Sequence, residues 1–189
     1  MKTLGTVILC FLFLATATLA VAEEAPVEFD KKDAKRQAID QMARNTLERL
    51  LGEDQRAVDV SGNAVGFAVF DSFKAAVIVS GGGGVGVAVN SANAVRTYMK
   101  MGTAGIGIGL GGQSYQVVFF FETEKALERF IRKGWQADAS ANAAAGTKGA
   151  NESVSFNNGV AVFQLTHKGL MAQADISGTK YWKHKKLNR

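Results

Sequence analysis

The chain has almost no cysteine or proline. Of its 189 residues one is cysteine (Cys10), one is proline (Pro26) and two are histidine (His167 and His184). Cys10 falls in an N-terminal apolar stretch, so residues 23–189 carry no thiol. Disulfides, a cysteine nucleophile and thiolate metal sites are thereby excluded from them. Two isolated histidines without an H-x-x-x-H spacing do not assemble a zinc site. Neither stands in a frame that pairs a base with a nucleophile, and no G-x-S-x-G elbow is present, so both read as surface histidines. Acidic residues are missing from all of Ser72–Phe121. A carboxylate pair for sugar hydrolysis would need acids on the β-framework, whereas here they lie mainly on helices and ends. These absences argue against an enzyme, a metal or a bound cofactor.

Glycine fills part of that acid-free stretch. SGGGGVGVAV runs over Ser80–Val89, and GTAGIGIGLGGQ over Gly102–Gln113. Gly81, Gly83 and Gly86 match G-x-G-x-x-G, the dinucleotide fingerprint. That fingerprint requires a helix opening at its last glycine and an acid about 20 residues on. Here strand-like VAV follows, the next acid is Glu122, and no Lys-Ser/Thr completes a phosphate loop. Nucleotide binding is therefore not expected. In the second run Gly105, Gly107, Gly109 and Gly111 alternate with Ile106, Ile108 and Leu110. A period of two describes a strand with one bare face, where a neighbouring layer or ligand can approach the backbone.

Met1–Ala22 has the composition of a secretory signal peptide: Lys2, the apolar Leu4–Leu14, and Ala20-Val21-Ala22 before Glu23. The apolar run is shorter than the ~20 residues of a membrane span. Leu9 before Cys10, with apolar sequence continuing beyond, does not suit a lipoprotein cleavage site. Residues 23–29 form a flexible leader and 30–189 a single domain. The expected location is the periplasm or cell envelope after cleavage near Ala22.

Within the domain, Ile39, Met42, Ala43, Thr46, Leu47, Leu50 and Leu51 recur at helical spacing between a capping Asp30 and Gly52. An acidic turn at Glu53-Asp54 leads into short strands: Val65–Phe70, Ala75–Val79 and Val85–Val89, separated by Asp71-Ser72 and by the glycine run. Thr97–Met101 enters the glycine-alternating strand, and Ser114–Phe121 reads as a strand buried on both faces. A second amphipathic helix is capped by Thr123, lined by Leu127, Phe130 and Ile131, and ended by Gly134. Trp135–Ala145 alternates as a thin strand. Turn signals at Asn157-Asn158-Gly159, Lys168-Gly169 and Ser177-Gly178 divide Val160–Leu165, Leu170–Ile176 and Lys180–Trp182 into an antiparallel meander. The expectation is an α+β single domain: a curved, largely antiparallel, glycine-rich sheet packed by two amphipathic helices. An eight-stranded outer-membrane barrel is the rival. It is disfavoured by the two charged helices and the C-terminal Leu187-Asn188-Arg189.

The formal net charge is +5; without Lys2 there remain 21 basic against 17 acidic residues, a net of +4. Between Thr166 and Arg189 six bases (Lys168, Lys180, Lys183, Lys185, Lys186, Arg189) face one acid, Asp175. A basic tail attracts an anionic partner, and in an exported chain phospholipid headgroups come before nucleic acid. A solvated terminus is the bland reading. The candidate lipid-binding residues are Lys180, Lys183, Lys185, Lys186 and Arg189, with Lys31, Lys32, Lys35 and Arg36 as a second cluster. Tyr181 and Trp182 either settle at headgroup depth or close the last strand onto the core.

Several strings resemble the SYLF-domain family: GFAVF (Gly66–Phe70), KAAVIVSGGGGVGVAV (Lys74–Val89), TYMKMGTAGIGIGLGGQSYQVVFFF (Thr97–Phe121), EKALERF (Glu124–Phe130), GVAVFQLTHKGLMAQADI (Gly159–Ile176) and GTKYWK (Gly178–Lys183). Asp71 departs from the family's VFP pattern. The resemblance is strongest to the exported bacterial branch and implies a lipid-binding module of the cell envelope without catalysis. Eukaryotic members are linked to phosphoinositides and actin, which do not transfer to an exported chain. An envelope scaffold that binds another protein is the alternative.

Overall fold

A computed structural model describes residues 28–76, 79–106, 111–136, 156–166, 169–170 and 179–189. Among these, α1 spans Glu28–Glu53 and α2 Gln55–Gly62. Then come β1 (Gly66–Ala76), β2 (Val79–Asn90), β3 (Arg96–Ile106), β4 (Gly111–Phe121), α3 (Glu124–Lys133), β5 (Trp135–Gln136), β6 (Val160–Thr166), β7 (Gly169–Leu170) and β8 (Thr179–Lys183). The strands join in one sheet, in the order β5-β8-β3-β2-β1-β4-β6-β7. Every pairing is antiparallel, and the sheet is open, with the two-residue strands β5 and β7 at its edges. The fold is α+β, as the patterning predicts.

Alternation along the strands divides the core into two layers. In β4, Tyr115, Val117, Phe119 and Phe121 pack with Leu127 and Phe130 of α3. Val118 and Phe120 turn the other way, onto Ile39, Ala43 and Leu50 of α1 and Ala57 and Val60 of α2. A strand covered by helices on both faces must be apolar throughout, which is why VVFFF carries no polar alternation. The cap of α3 forms as expected: Thr123 Oγ1 accepts from the Ala126 N–H at 3.2 Å, and Gly134 ends the helix at φ 73°. Asn158 and Gly159, both at positive φ, make the two-residue turn between the bridged Asn157 and Val160.

The structure corrects several sequence expectations. Asp30 and Gly52 both lie inside α1, so Asp30 does not cap it and Gly52 does not end it. Glu53-Asp54 is a junction between two helices: Asp54 caps α2, its Oδ1 accepting from the Arg56 N–H at 2.9 Å, so the described residues form three helices where two were expected. Asp71-Ser72 does not end a strand, because β1 pairs continuously with β2 and β4 across it. The run Gly81–Gly84 is the interior of β2. A Cβ at Gly84 would meet the Asp71 carbonyl oxygen, and one at Gly86 would meet the Val69 carbonyl oxygen and the Phe70 ring. Glycine at 84 and 86 answers a packing need inside the sheet, whereas Gly81 and Gly83 have room for a Cβ. Finally, β8 leaves the expected meander and crosses to pair with β3 on the opposite side of the sheet from β6. Gly107, Gly109, most of the expected strand Trp135–Ala145, the segment after Leu170 and His167 lie outside the described residues.

Candidate functional site

The basic C-terminus is built on β8, which alternates buried Thr179 and Tyr181 with exposed Lys180 and Trp182. Tyr181 is fully buried, its ring centroid 4.7 Å from Phe70 and 5.0 Å from Phe119. It closes the strand onto the core and pins the register. Trp182 therefore points to the opposite face, where it remains 40% exposed. There it pairs with Lys100 of β3 and lies over Gly102, where a Cβ would stand 3.0 Å from the indole. Of the two roles proposed for Tyr181 and Trp182, the core role falls to Tyr181 and the exposed position to Trp182.

Beyond β8 the chain folds back onto the body of the domain. The His184 N–H donates to the Tyr98 carbonyl at 2.9 Å, and the Leu187 N–H to the His184 carbonyl at 3.1 Å and to its Nδ1 at 3.3 Å. Asn188 Nδ2 donates to the Tyr98 carbonyl at 2.7 Å, while its Oδ1 accepts from the Tyr98 N–H at 3.0 Å. From α1, Arg36 donates to the carbonyls of Leu187 at 3.0 Å and Arg189 at 3.1 Å. With Leu187 buried as well, the tail's backbone is docked, and the side chains of Lys185 and Lys186 project outward from it.

This arrangement gathers Lys100, Lys183, Lys185 and Lys186 with Trp182 and His184 around one shallow cavity of about 400 Å³. Among the described residues, none that lines it is acidic. His184, expected at the surface, is buried at its floor because the 184–188 turn closes over it. Burial first, and then the nearby Lys100, Lys35 and Lys186, hold its imidazole below the usual histidine range. The site thus keeps a neutral histidine among lysines whose charges face outward.

Of the expected residues, Lys183, Lys185, Lys186 and Trp182 come together, and Lys35 reaches the same region from α1. Lys180 is exposed on β8 opposite Gly102, Arg189 is exposed at the end of the docked tail, and Lys31 and Lys32 stand at the start of α1 without lining the cavity. Arg36 serves as a fastener: besides the two tail carbonyls it binds Asp33 Oδ1 at 2.7 Å and lies 5.9 Å from the centre of the Tyr98 ring. Lys100 was not anticipated, because only the β3–β8 register brings it beside Trp182. Among the described residues no group of three or more His, Cys, Asp or Glu is placed to hold a metal, and no helix is long and apolar enough to cross a membrane.

An open sheet between helices, with a docked basic tail and one half-exposed tryptophan, defines a small α+β module whose distinctive chemistry is a cationic, aromatic-lined surface. Residues 102–189 match the family described as Ysc84, Las17-binding protein actin regulator. Over 170 residues the chain is 39% identical to a protein named Beta cell expansion factor A from Aeromonas veronii, covering 89% of this chain. The chain spans 65% of the length of that relative. The match over residues 102–189 and this relative agree with the resemblance of the sequence to the SYLF, or Ysc84, domain family. Strands β1 and β2, which precede the matched segment, complete the same sheet.

Proposed function

We propose that this protein is a non-catalytic module that binds anionic lipid surfaces peripherally, and that it does so in the cell envelope after export and cleavage near Ala22. The observation that carries the reading is the cavity where Trp182 stands among Lys100, Lys183, Lys185 and Lys186, with no acid among the described lining residues. Each basic residue near an anionic membrane contributes about 1 kcal/mol, so four lysines supply ~4 kcal/mol, roughly a thousandfold in affinity. An indole at the edge of such a cluster suits headgroup depth, where one side of the ring is apolar and the other wet. The docked backbone supports the reading too, because little ordering is left to be done when the lysines meet a surface.

Intrinsic fluorescence tests the contact. Vesicles containing phosphatidylglycerol should shift Trp182 emission to the blue, and purely zwitterionic vesicles should not. The shift should persist in Trp135→Phe and vanish in Trp182→Phe. An equal shift with zwitterionic vesicles, or one that survives Trp182→Phe, would contradict the proposed surface. A second reading, an envelope scaffold that binds another protein, is favoured by the family's description as a Las17-binding regulator. It predicts a stoichiometric copurifying partner and indifference to vesicles.

A further inference from the structure

The exposed side of α3 is a second cationic surface. Ala126, Leu127 and Phe130 turn inward onto the sheet, which leaves Lys125, Arg129, Arg132 and Lys133 outward on adjoining turns. With Glu128 these four line a shallow cavity of about 420 Å³. The other acid of the helix, Glu124, is engaged by Asn90 Nδ2 at 2.8 and 3.1 Å. Among the described residues the ion pairs involve Arg36, Arg49, Arg56 and Arg96, and none involves the four cations of α3.

The position of this surface matters as much as its charge. α3 covers the sheet face that carries Phe70, Phe119 and Tyr181. Trp182 and Lys100 lie in the same cross-strand row as Val85, which packs on the opposite face with the α1 layer. The two basic surfaces are therefore carried on opposite faces of one sheet and look outward in different directions. We infer that the protein is bivalent: the Trp182 surface takes one anionic membrane and the α3 surface a second, so that the domain bridges two phosphate-bearing surfaces. The inference rests on the lipid-binding reading above. It goes beyond that reading by assigning α3 a membrane of its own. Charge complementarity selects the occupant, since the α3 surface has two arginines able to grip phosphate oxygens bidentately and two lysines as point charges.

Dynamic light scattering and cosedimentation, run together on phosphatidylglycerol-containing vesicles, decide it. The wild type should cluster vesicles at low protein-to-lipid ratio and release them when excess protein saturates each vesicle separately. An Arg129→Ala/Arg132→Ala/Lys133→Ala variant should cosediment like the wild type and lose clustering. All three positions are exposed, and matching circular dichroism spectra would establish that the variant folds. A second variant, Lys125→Glu, should lower clustering in the same direction. Wild type that binds without clustering would overturn the bivalent inference and leave the lipid-binding reading standing. So would an α3 variant that clusters like wild type, or one that loses binding and clustering in parallel, which would mean a single continuous surface around β8. Wild type that fails to bind these vesicles would overturn both.

Discussion

Replacing Gly86 by valine, beside Gly83 by alanine in the same strand, tests why β2 is built from glycine. Gly86 faces the α3 layer, and its place is taken by the Phe70 ring: a Cβ there would lie 2.5 Å from Phe70 Cδ1 and 2.7 Å from Cγ, and against the Val69 carbonyl oxygen. Phe70 cannot retreat freely, because its ring meets Tyr181 at 4.7 Å and Phe119 at 6.0 Å. Overpacking a core costs about 1–3 kcal/mol, and each aromatic pair disturbed removes roughly 0.5–1.5 kcal/mol more. A total near 3 kcal/mol in a domain of this size lowers Tm by about 6–12 °C. Gly83 is exposed, and the nearest atom to its Cβ would be the Met101 carbonyl oxygen at an ordinary 3.5 Å. With no positive φ to preserve there, Gly83→Ala should leave Tm unchanged or raise it by about 1–3 °C, through lower entropy of the unfolded chain. Thermal denaturation followed by circular dichroism gives both numbers. A Gly86→Val protein that melts with the wild type, or a Gly83→Ala protein that falls as far as Gly86→Val, would refute the packing account.

Tyr181→Phe should melt at or above the wild-type temperature, because the buried Tyr181 hydroxyl has no hydrogen-bond partner among the described residues, whereas Tyr181→Ala should cost about 3–5 kcal/mol in a denaturant titration. Asp54→Ala removes the cap of α2 and the partner of Arg56, and should lower stability by about 1 kcal/mol in the same titration. Burial and its lysine neighbours depress the His184 imidazole below its ordinary 6.5, so the unfolded chain takes up that proton first as pH falls. Its contribution is therefore present above pH 6.5 and is lost as pH drops through the native value. A plot of Tm against pH from about 7.5 to 5 should slope less for His184→Gln than for wild type.

What the sequence made legible was local. Thr123, Leu127, Phe130 and Gly134 announced α3 within a few residues of its true ends, and the unbroken VVFFF announced a strand covered on both sides. The glycine run misled because its crowded position, Gly84, is set by Asp71 and Ser72 of the neighbouring strand, and that crowding appears only in the β1–β2 register. Helix α2 is short, and its one strong signal, Asp54, was read as a turn because capping residues and turn residues are the same types. In the site, the tail lysines and Trp182 were visible as a cluster in sequence. Lys100 was not, since it reaches Trp182 only by a long-range pairing. The docking of the tail was equally hidden: Arg36, read as one charge in a basic cluster, turns out to hold the Leu187 and Arg189 carbonyls.

Cosedimentation of the protein with vesicles, across anionic lipid content and salt, decides whether the basic C-terminal surface binds anionic lipid. Wild type is compared with the Lys183→Ala/Lys185→Ala/Lys186→Ala variant. The three exposed or cavity-lining lysines should be worth about 3 kcal/mol together, so the variant should bind roughly a hundredfold more weakly at low salt. Wild-type binding should itself fall as ionic strength rises, because exposed charges are screened beyond about 10 Å at 0.1 M. Binding by the variant equal to wild type, or wild-type binding indifferent to both lipid charge and salt, would contradict the account.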